Sequence, residues 1–168
     1  TYTAGIGANP EYETKWLRFS YNSLTMPNSV YDYNMATKQK VLQKQQEVIG
    51  AFSSDDYEAE RVFATSADGT QVPISLVYKK GFVRDGSHPC YLTAYGAYGI
   101  SSDPYFSTVR LSLLNRGFVF ALAHIRGGQE MGRAWYEDGK MLNKQNTFTD
   151  FISCAEFLEA EKYTKPER

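Results

Sequence analysis

Residues 118–125, FVFALAHI, constrain the fold of this chain more than any other segment. The run is apolar except for one histidine and shows no alternation, which indicates a strand covered on both faces, as in a parallel sheet. It is far shorter than the roughly 20 apolar residues that a membrane span needs. Parallel strands require crossover connections, usually helices. We therefore expect a layered α/β sheet.

The preceding residues supply neighbours for this strand. Residues 61–80 predict a β-hairpin that turns at Asp68-Gly69, because these residue types tolerate the positive φ angles of a tight turn. Pro73 cannot donate a backbone hydrogen bond, so we expect its strand at or near a sheet edge. Residues 90–95, CYLTAY, predict the next strand.

Residues 102–117 predict a helix between these two strands. Ser102 or Asp103 would cap it, Pro104 suits its first turn, and Gly117 suits the position just past its end. Its predicted apolar face comprises Phe106, Val109, Leu113 and Leu114.

A second helix is expected after residue 146. Thr147 and Asp150 have the spacing of a capping box. The predicted apolar stripe comprises Phe148, Phe151, Ile152, Ala155 and Leu158. The order hairpin, strand, helix, strand, helix is the opening of an α/β sheet with right-handed crossovers.

Residues 1–56 differ in character. Residues 15–23, 29–35 and 38–45 predict three strands with short polar connections, a pattern typical of a meander such as one blade of a β-propeller. The polar stretch at residues 50–60 predicts a linker. One blade alone buries too little apolar area to be stable, so further blades are expected.

Charge and composition exclude several classes of function. The formal net charge of −1 provides no excess of positive charge for binding nucleic acid or an anionic membrane. His88 and His124 are isolated from ligand-like neighbours, so no metal is predicted. Cys90 and Cys154 lie far apart in different predicted elements and are expected to be free thiols. No signal-peptide pattern is present, and we expect a cytoplasmic location, with a periplasmic one left open.

Two glycine-rich segments follow the predicted parallel strands, at the sheet edge where ligands bind in open α/β folds. They are residues 95–99, YGAYG, and residues 126–132, RGGQEMG. The second lacks both common phosphate-loop patterns, so phosphate binding is not predicted. From its pattern alone, the first is either a turn or a functional loop.

Both segments lie within residues 92–151. This range resembles the prolyl oligopeptidase family of serine peptidases, and within that family it is most similar to the oligopeptidase B branch. Residues 66–78 resemble the first hairpin of the family's peptidase domain, and residues 9–35 resemble the end of its propeller. Gln129 departs from the family, which often has a third glycine there, and leaves the loop conformation open. The residues that support the resemblance are Tyr95-Gly96, Arg126-Gly127-Gly128, Glu130, Gly132, Trp135, Gly139, Lys144-Gln145-Asn146 and Phe148–Asp150.

The resemblance implies an α/β fold: the first part of an α/β-hydrolase sheet, residues 57–168, preceded by the terminal strands of a β-propeller, residues 1–56. The family cleaves short peptides with a Ser-Asp-His triad and no cofactor. The serine of this fold lies in a GxSxG elbow that precedes the Asp and the His. The chain has no such elbow, so we expect it after Arg168. The chain alone should be inactive and should self-associate through its unpaired sheet edge.

The resemblance also assigns roles within the chain. Tyr95 matches the tyrosine that donates to the oxyanion, and Tyr98 matches an aromatic of the specificity pocket. His88 and His124 precede the expected serine and are therefore predicted to be structural. For the second loop, contact with substrate competes with a loop-ordering role, in which Arg126 pairs with Glu130 and Trp135 packs beneath.

Cleavage after Arg or Lys is implied by the resemblance alone. Two alternatives stay open. One is a non-catalytic peptide-binding relative, and the other is a different peptidase or esterase of the same fold.

Overall fold

The computed structural model describes residues 2–167. The chain forms two compact units. The first contains the residues up to Asp56 together with residues 103–108, and the second contains residues 57–102 and the residues from Val109 onward. The first boundary falls within the polar stretch that predicts a linker.

The first unit contains a four-stranded antiparallel meander in sequential order. The strands are β1 (Tyr2–Ile6), β2 (Trp16–Ser23), β3 (Ser29–Asn34) and β4 (Lys40–Gln45). The three predicted strands are present. β1 is an addition that its sequence, YTAGI, did not reveal because it lacks a clear apolar alternation.

An ion pair joins β2 and β3. Arg18 lies directly opposite Asp32, and its Nε and Nη2 donate to the two carboxylate oxygens at 2.7 and 2.8 Å. These hydrogen bonds lower the pKa of Asp32. The neighbouring pair, Phe19 and Tyr31, stacks with ring centroids 5.5 Å apart. Cross-strand pairs of this kind stabilise a sheet whose register is otherwise free to slip.

The second unit contains a four-stranded mixed sheet in the order β5-β6-β8-β7. The strands are β5 (Tyr57–Thr65), β6 (Gln71–Lys79), β7 (Cys90–Thr93) and β8 (Val119–Ala123). The β5–β6 hairpin is antiparallel, as predicted, and β7 is parallel to β8. All five residues of β8 are buried, which agrees with its unbroken apolar sequence.

In the part of the chain that the structure describes, the α-helices are α1 (Thr108–Leu114), α2 (Arg133–Glu137) and α3 (Gln145–Ala160). Short 3-10 turns span Ser54–Asp56 and Met141–Asn143. The core combines residues of β6 and β8 with Cys154 and Leu158 of α3 and with Tyr163 beyond it. Among residues 2–167, no helix combines the length and apolar character that a membrane crossing requires.

Pro73 lies in β6, which is not the edge strand but its neighbour, paired with β5 on one side and β8 on the other. His124 N donates to the Pro73 carbonyl at 2.9 Å, but Pro73 has no N–H to return. The indole Nε1 of Trp135 donates to the His124 carbonyl instead, at 3.0 Å. The proline is tolerated inside the sheet because a side chain replaces its missing donor.

The prediction of the first helix was wrong at its beginning. Residues 103–107 are not helical, and α1 begins at Thr108. The buried face contains Arg110, Leu111 and Leu114, whereas Val109 is 80% exposed. The predicted end is correct: Gly117 has φ 84°, and Phe118 N donates to the Leu113 carbonyl, as in a Schellman motif.

The capping box predicted for the second helix was also wrong. α3 begins at Gln145, so Thr147 and Asp150 lie inside it, and both side chains are buried. Each binds groups outside the helix instead of capping it. The predicted apolar stripe is only partly buried, because Phe148 and Ile152 remain 56% and 55% exposed.

Candidate active site

The loops that follow β7 and β8 meet at the carboxyl edge of the two parallel strands. The first loop contains Tyr95 and Gly99, and the second contains residues 126–132. Gly99 N donates to the Gly127 carbonyl at 3.0 Å and joins the two loops. The structure therefore brings together the two glycine-rich segments that the sequence singled out.

Two glycines permit this close approach. Gly96 has φ 63°, and a Cβ added there would lie 2.6 Å from Ile125 Cγ1 and 2.7 Å from Thr147 Cγ2. Gly127 has φ 103°, and a Cβ there would collide with the Gly96 carbonyl. Only glycine meets both demands, a positive φ and no side chain.

Tyr95 and Tyr98 lie on the first loop and face different surroundings. Tyr95 is 50% exposed and directly precedes Gly96. Tyr98 is 82% exposed and adopts φ 55°, a conformation that few non-glycine residues take. Exposed tyrosines on a fixed loop can present their hydroxyl groups to a ligand.

Tyr95 borders an apolar cavity of about 550 Å³, the Tyr95 cavity. Its walls come from the end of β7, the first loop and the exposed face of α3, which explains why Phe148 and Ile152 are not covered. The lining residues are Leu92, Thr93, Ala94, Tyr95, Ala97, Ile125, Lys144, Thr147, Phe148, Phe151 and Ile152.

Tyr98 lines a separate, smaller depression of about 270 Å³. Ala97 and Lys144 border both this depression and the Tyr95 cavity. The two tyrosines thus lie on either side of Lys144 and do not share one pocket. The other lining residues of the Tyr98 depression are Tyr136, Gly139, Lys140 and Met141.

The beginning of α3 binds three nearby backbone segments. Lys144 Nζ donates to the Gly96 carbonyl at 2.6 Å, and Thr147 Oγ1 donates to the Arg126 carbonyl at 2.7 Å. Asn146 Nδ2 donates to the Asp138 carbonyl at 2.9 Å. These bonds connect both loops to one helix. Lys144 and Asn146 supported the family resemblance, but nothing in their sequence pattern predicted these hydrogen-bond partners.

Arg126 is buried and does not pair with Glu130, contrary to the expected loop-ordering arrangement. Its Nε and Nη2 donate to the two oxygens of Asp150 at 2.9 and 2.6 Å, and its Nη1 donates to Asp68 at 2.6 Å. Asp150 is fully buried and also accepts from Ser66 Oγ at 2.8 Å. The sequence pattern did not predict this cluster, because Asp68 was expected in a turn and Asp150 in a helix cap.

The ion pairs of Arg126 shift the pKa values of their members. The hydrogen bond from Arg126 is the main reason why the pKa of Asp68 falls to about 2. The hydrogen bond to Asp150 raises the pKa of Arg126. Arg126 is thus permanently charged and 5% exposed, which leaves it no surface for contact with a substrate.

His124, Ser75 and Glu130 form a second buried cluster. His124 Nε2 lies 2.8 Å from Ser75 Oγ, and His124 Nδ1 lies 3.9 Å from Glu130 Oε1. Burial lowers the pKa of His124 to about 4, so the ring is neutral at pH 7. Glu130 Oε1 also accepts from Ser102 N at 2.9 Å and thereby contacts the first loop.

Serine, histidine and a carboxylate are the residue types of a catalytic triad, but a substrate cannot reach this cluster. Ser75 is fully buried in β6, and His124 is 2% exposed. A nucleophile must reach the substrate, and its base must lie beside the reacting atoms. The cluster therefore has a structural role, in agreement with the interpretation of His124 from chain order.

Neither cysteine has the properties of an activated nucleophile. Burial raises the pKa of Cys90 to about 11, and burial together with the charge of Asp150 raises that of Cys154 to about 12. Reactive cysteines instead have lowered pKa values. Across residues 2–167, no three histidine, cysteine or carboxylate side chains are grouped closely enough to bind a metal ion.

The chain combines a mixed α/β unit with an antiparallel meander. In the α/β unit, a half-exposed tyrosine borders an apolar cavity at the carboxyl ends of two parallel strands. Residues 104–168 match the Prolyl oligopeptidase family. The match places residues 104–168 in this family.

Similar proteins cover almost the whole chain. The dipeptidyl aminopeptidase BI of Pseudoxanthomonas mexicana is 52% identical over 99% of the chain and 23% of its own length. Protease 2 of Moraxella lacunata is 41% identical over 99% of the chain and 24% of its own length. The solved oligopeptidase B of Leishmania major is 45% identical, with a TM-score of 0.86 over 98% of the chain and 23% of its own length. The chain thus spans about a quarter of these relatives.

Proposed function

We propose that the whole protein is a serine-type peptidase that hydrolyses short peptides, and that this chain contributes its oxyanion tyrosine, Tyr95. The observation that carries the proposal is the position of Tyr95. It lies just past the carboxyl end of β7, half-exposed, on the wall of an apolar cavity and next to a glycine that is packed against Ile125 and Thr147.

The role follows from the chemistry of peptide hydrolysis. Attack on the scissile carbonyl produces a tetrahedral intermediate whose oxygen is negatively charged. A donor aimed at this oxygen typically stabilises the transition state by about 2.7–4 kcal/mol. The phenolic O–H of Tyr95 would provide one such bond, and the backbone N–H after the nucleophilic serine would provide the second.

The remaining catalytic groups are proposed to come from other parts of the whole protein. In an α/β-hydrolase domain the serine elbow, the aspartate and the histidine follow one another along the chain. We assign residues 57–168 to the N-terminal part of such a domain and residues 1–56 to the last strands of a propeller. The relatives extend well beyond the length of this chain, which supports the proposal.

Cleavage after Arg or Lys is the proposed specificity, with Tyr98 as one wall of the pocket. The proposed cleavage after Arg or Lys is supported by the similarity of the chain to Protease 2 and to oligopeptidase B. The 52% identity to a dipeptidyl aminopeptidase favours release of dipeptides as a second candidate. The two differ in their demands on the substrate, because only a dipeptidyl aminopeptidase needs a free amino terminus two residues before the cut.

A labelling experiment tests the reaction class. The full-length protein should react with a fluorophosphonate probe and lose peptidase activity in proportion. The 168-residue chain expressed alone should not be labelled, because it contains no serine elbow. An unlabelled full-length protein that still binds peptides would favour a non-catalytic peptide-binding relative, whereas labelling of the short chain would contradict our location of the nucleophile.

Substrate length and blocking group separate the two specificities. A peptide with a blocked amino terminus and Arg before the reporter group should be cleaved if the protein is an endopeptidase. A dipeptide reporter should be cleaved only with a free amino terminus if dipeptides are released. Hydrolysis of simple esters without any peptide hydrolysis would instead indicate an esterase of the same fold.

A further inference from the structure

Lys144 is a charged residue that lies between the two tyrosines of the site. Its ammonium group donates to the Gly96 carbonyl at 2.6 Å, a short distance typical of charge-assisted hydrogen bonds. The side chain is only partly exposed, and its Nζ lies 6.0 Å from the centre of the Phe148 ring. Lys144 therefore places a positive charge in the wall of the Tyr95 cavity, beside apolar groups.

The Gly96 peptide is restrained from two sides. The Gly96 backbone packs against Ile125 and Thr147, while its carbonyl accepts the bond from Lys144. The Gly96 carbonyl belongs to the peptide that joins Gly96 to Ala97, and Tyr95 is attached to the same Gly96 Cα through the preceding peptide. The bond from Lys144 therefore restrains the residue that directly follows Tyr95. Glycine imposes few conformational limits of its own, which makes the lysine bond a main restraint on this turn.

We propose that Lys144 is a positioning residue of this active site: its bond to the Gly96 carbonyl keeps the Tyr95 hydroxyl aligned with the developing oxyanion. The inference rests on the proposed function of Tyr95. Misplacement of a catalytic group by about 1 Å can cost about a hundredfold in rate, so loss of such a bond should appear mainly in kcat.

Kinetics of single and double variants of the full-length protein test this proposal. Lys144→Met removes the donor and the charge but keeps the length of the side chain. We expect it to lower kcat about tenfold to a hundredfold, with KM changed less than about threefold. Lys144→Arg retains a charged donor and should recover most of kcat. Lys79→Met, at an exposed position at the end of β6, is the control and should match the parent.

A double-mutant cycle separates positioning of Tyr95 from a general effect on the loop. If Lys144 acts through the Tyr95 hydroxyl, Lys144→Met should lower kcat no more than about threefold once Tyr95→Phe is present. A merely structural role predicts the same loss in both backgrounds. Equal losses would overturn the inference, and so would full activity of Lys144→Met.

The design distinguishes failure of the inference from failure of the proposed function. If Tyr95→Phe alone leaves kcat unchanged, the oxyanion role is wrong. If Tyr95→Phe lowers kcat but the two substitutions are additive, only the inference about Lys144 is wrong. Thermal unfolding identifies a Lys144→Met variant that does not fold. In that case Lys144→Gln, whose amide is uncharged and one bond shorter in reach, weakens the bond to the Gly96 carbonyl and carries the same test of non-additivity.

Discussion

Asp150 binds Arg126 through both of its carboxylate oxygens, at 2.6 and 2.9 Å, in an arrangement that buries both side chains almost completely. Arg126 begins the second loop of the site, and its backbone N–H also donates to Asp150 at 3.0 Å. A helix residue thus determines where the loop after β8 leaves the sheet.

Removal of one partner should destabilise the protein strongly. In Asp150→Asn the buried Arg126 charge keeps only the partly exposed Asp68 as its counter-ion. Removal of one partner of a buried ion pair typically costs about 3–5 kcal/mol. For a domain of this size, we expect the thermal midpoint of the full-length protein to fall by about 6 °C or more. Asp138→Asn, at an exposed position, is the control and should leave the midpoint nearly unchanged. Equal midpoints of the two variants would contradict the importance of the buried pair.

Asp68 should make stability depend on pH in the acid range. Its pKa in the folded protein, about 2, lies below its ordinary value of 3.8, so folding is favoured by its charged form. This contribution is complete above about pH 4 and is lost as the pH falls toward 2. Because Asp68 is partly exposed, water and salt reduce the effect.

The comparison with Asp68→Asn isolates this effect. Thermal midpoints of parent and variant, measured from pH 5 down to about pH 2, should converge as Asp68 becomes protonated. A difference between parent and variant that stays constant across this range would show that Asp68 does not titrate with a lowered pKa. Other carboxylates with lowered pKa values, such as Asp32, contribute equally to both proteins.

Gly96→Ala tests the close packing of the tyrosine loop. The new methyl group would collide with Ile125 and Thr147, both buried, in addition to the strain of a positive φ. We expect kcat to fall at least about tenfold, because Tyr95 would be displaced. Gly81→Ala is the matched control, since Gly81 has φ 86° but no atom within 4 Å of the added methyl group. Similar activities of the two variants would contradict a special role for Gly96.

The 168-residue chain expressed alone should self-associate. Phe148 and Ile152 expose more than half of their surface, and β7 pairs with only one strand among the described residues. Exposed apolar side chains beside an unpaired strand favour association. Light scattering should show oligomers that decrease in Phe148→Asp combined with Ile152→Asp. A monomeric parent chain at high concentration would refute this prediction.

Much of the fold could be predicted from local patterns. The unbroken apolar sequence of β8 predicted a covered strand, and Asp68-Gly69 predicted the hairpin turn. Gly117 predicted the end of α1, because the motif there needs only local backbone conformation. The beginnings of α1 and α3 could not be predicted in the same way. Thr147 and Asp150 have the spacing of a cap, but their hydrogen bonds go to Arg126, which is distant in sequence.

The same distinction between local patterns and contacts distant in sequence applies to the candidate site. Tyr95 and Tyr98 could be singled out because glycines surround them at the end of a predicted strand and because the sequence resembles a known family. The partners of Lys144 and Arg126 could not be predicted, since both depend on contacts between segments that lie far apart in the chain. The same limit explains why Arg126 was expected to pair with Glu130, its neighbour in sequence.

Steady-state kinetics of Tyr95→Phe in the full-length protein test directly whether Tyr95 donates to the oxyanion. Loss of one oxyanion donor should lower kcat about a hundredfold to a thousandfold, with little change in KM. Tyr91→Phe is the control, because Tyr91 is 51% exposed on β7, the strand that precedes Tyr95, and stacks against Phe120 without lining the cavity. The proposed oxyanion role of Tyr95 predicts a large loss of kcat for Tyr95→Phe and none for Tyr91→Phe. Equal activity of the two variants on a peptide substrate would contradict it.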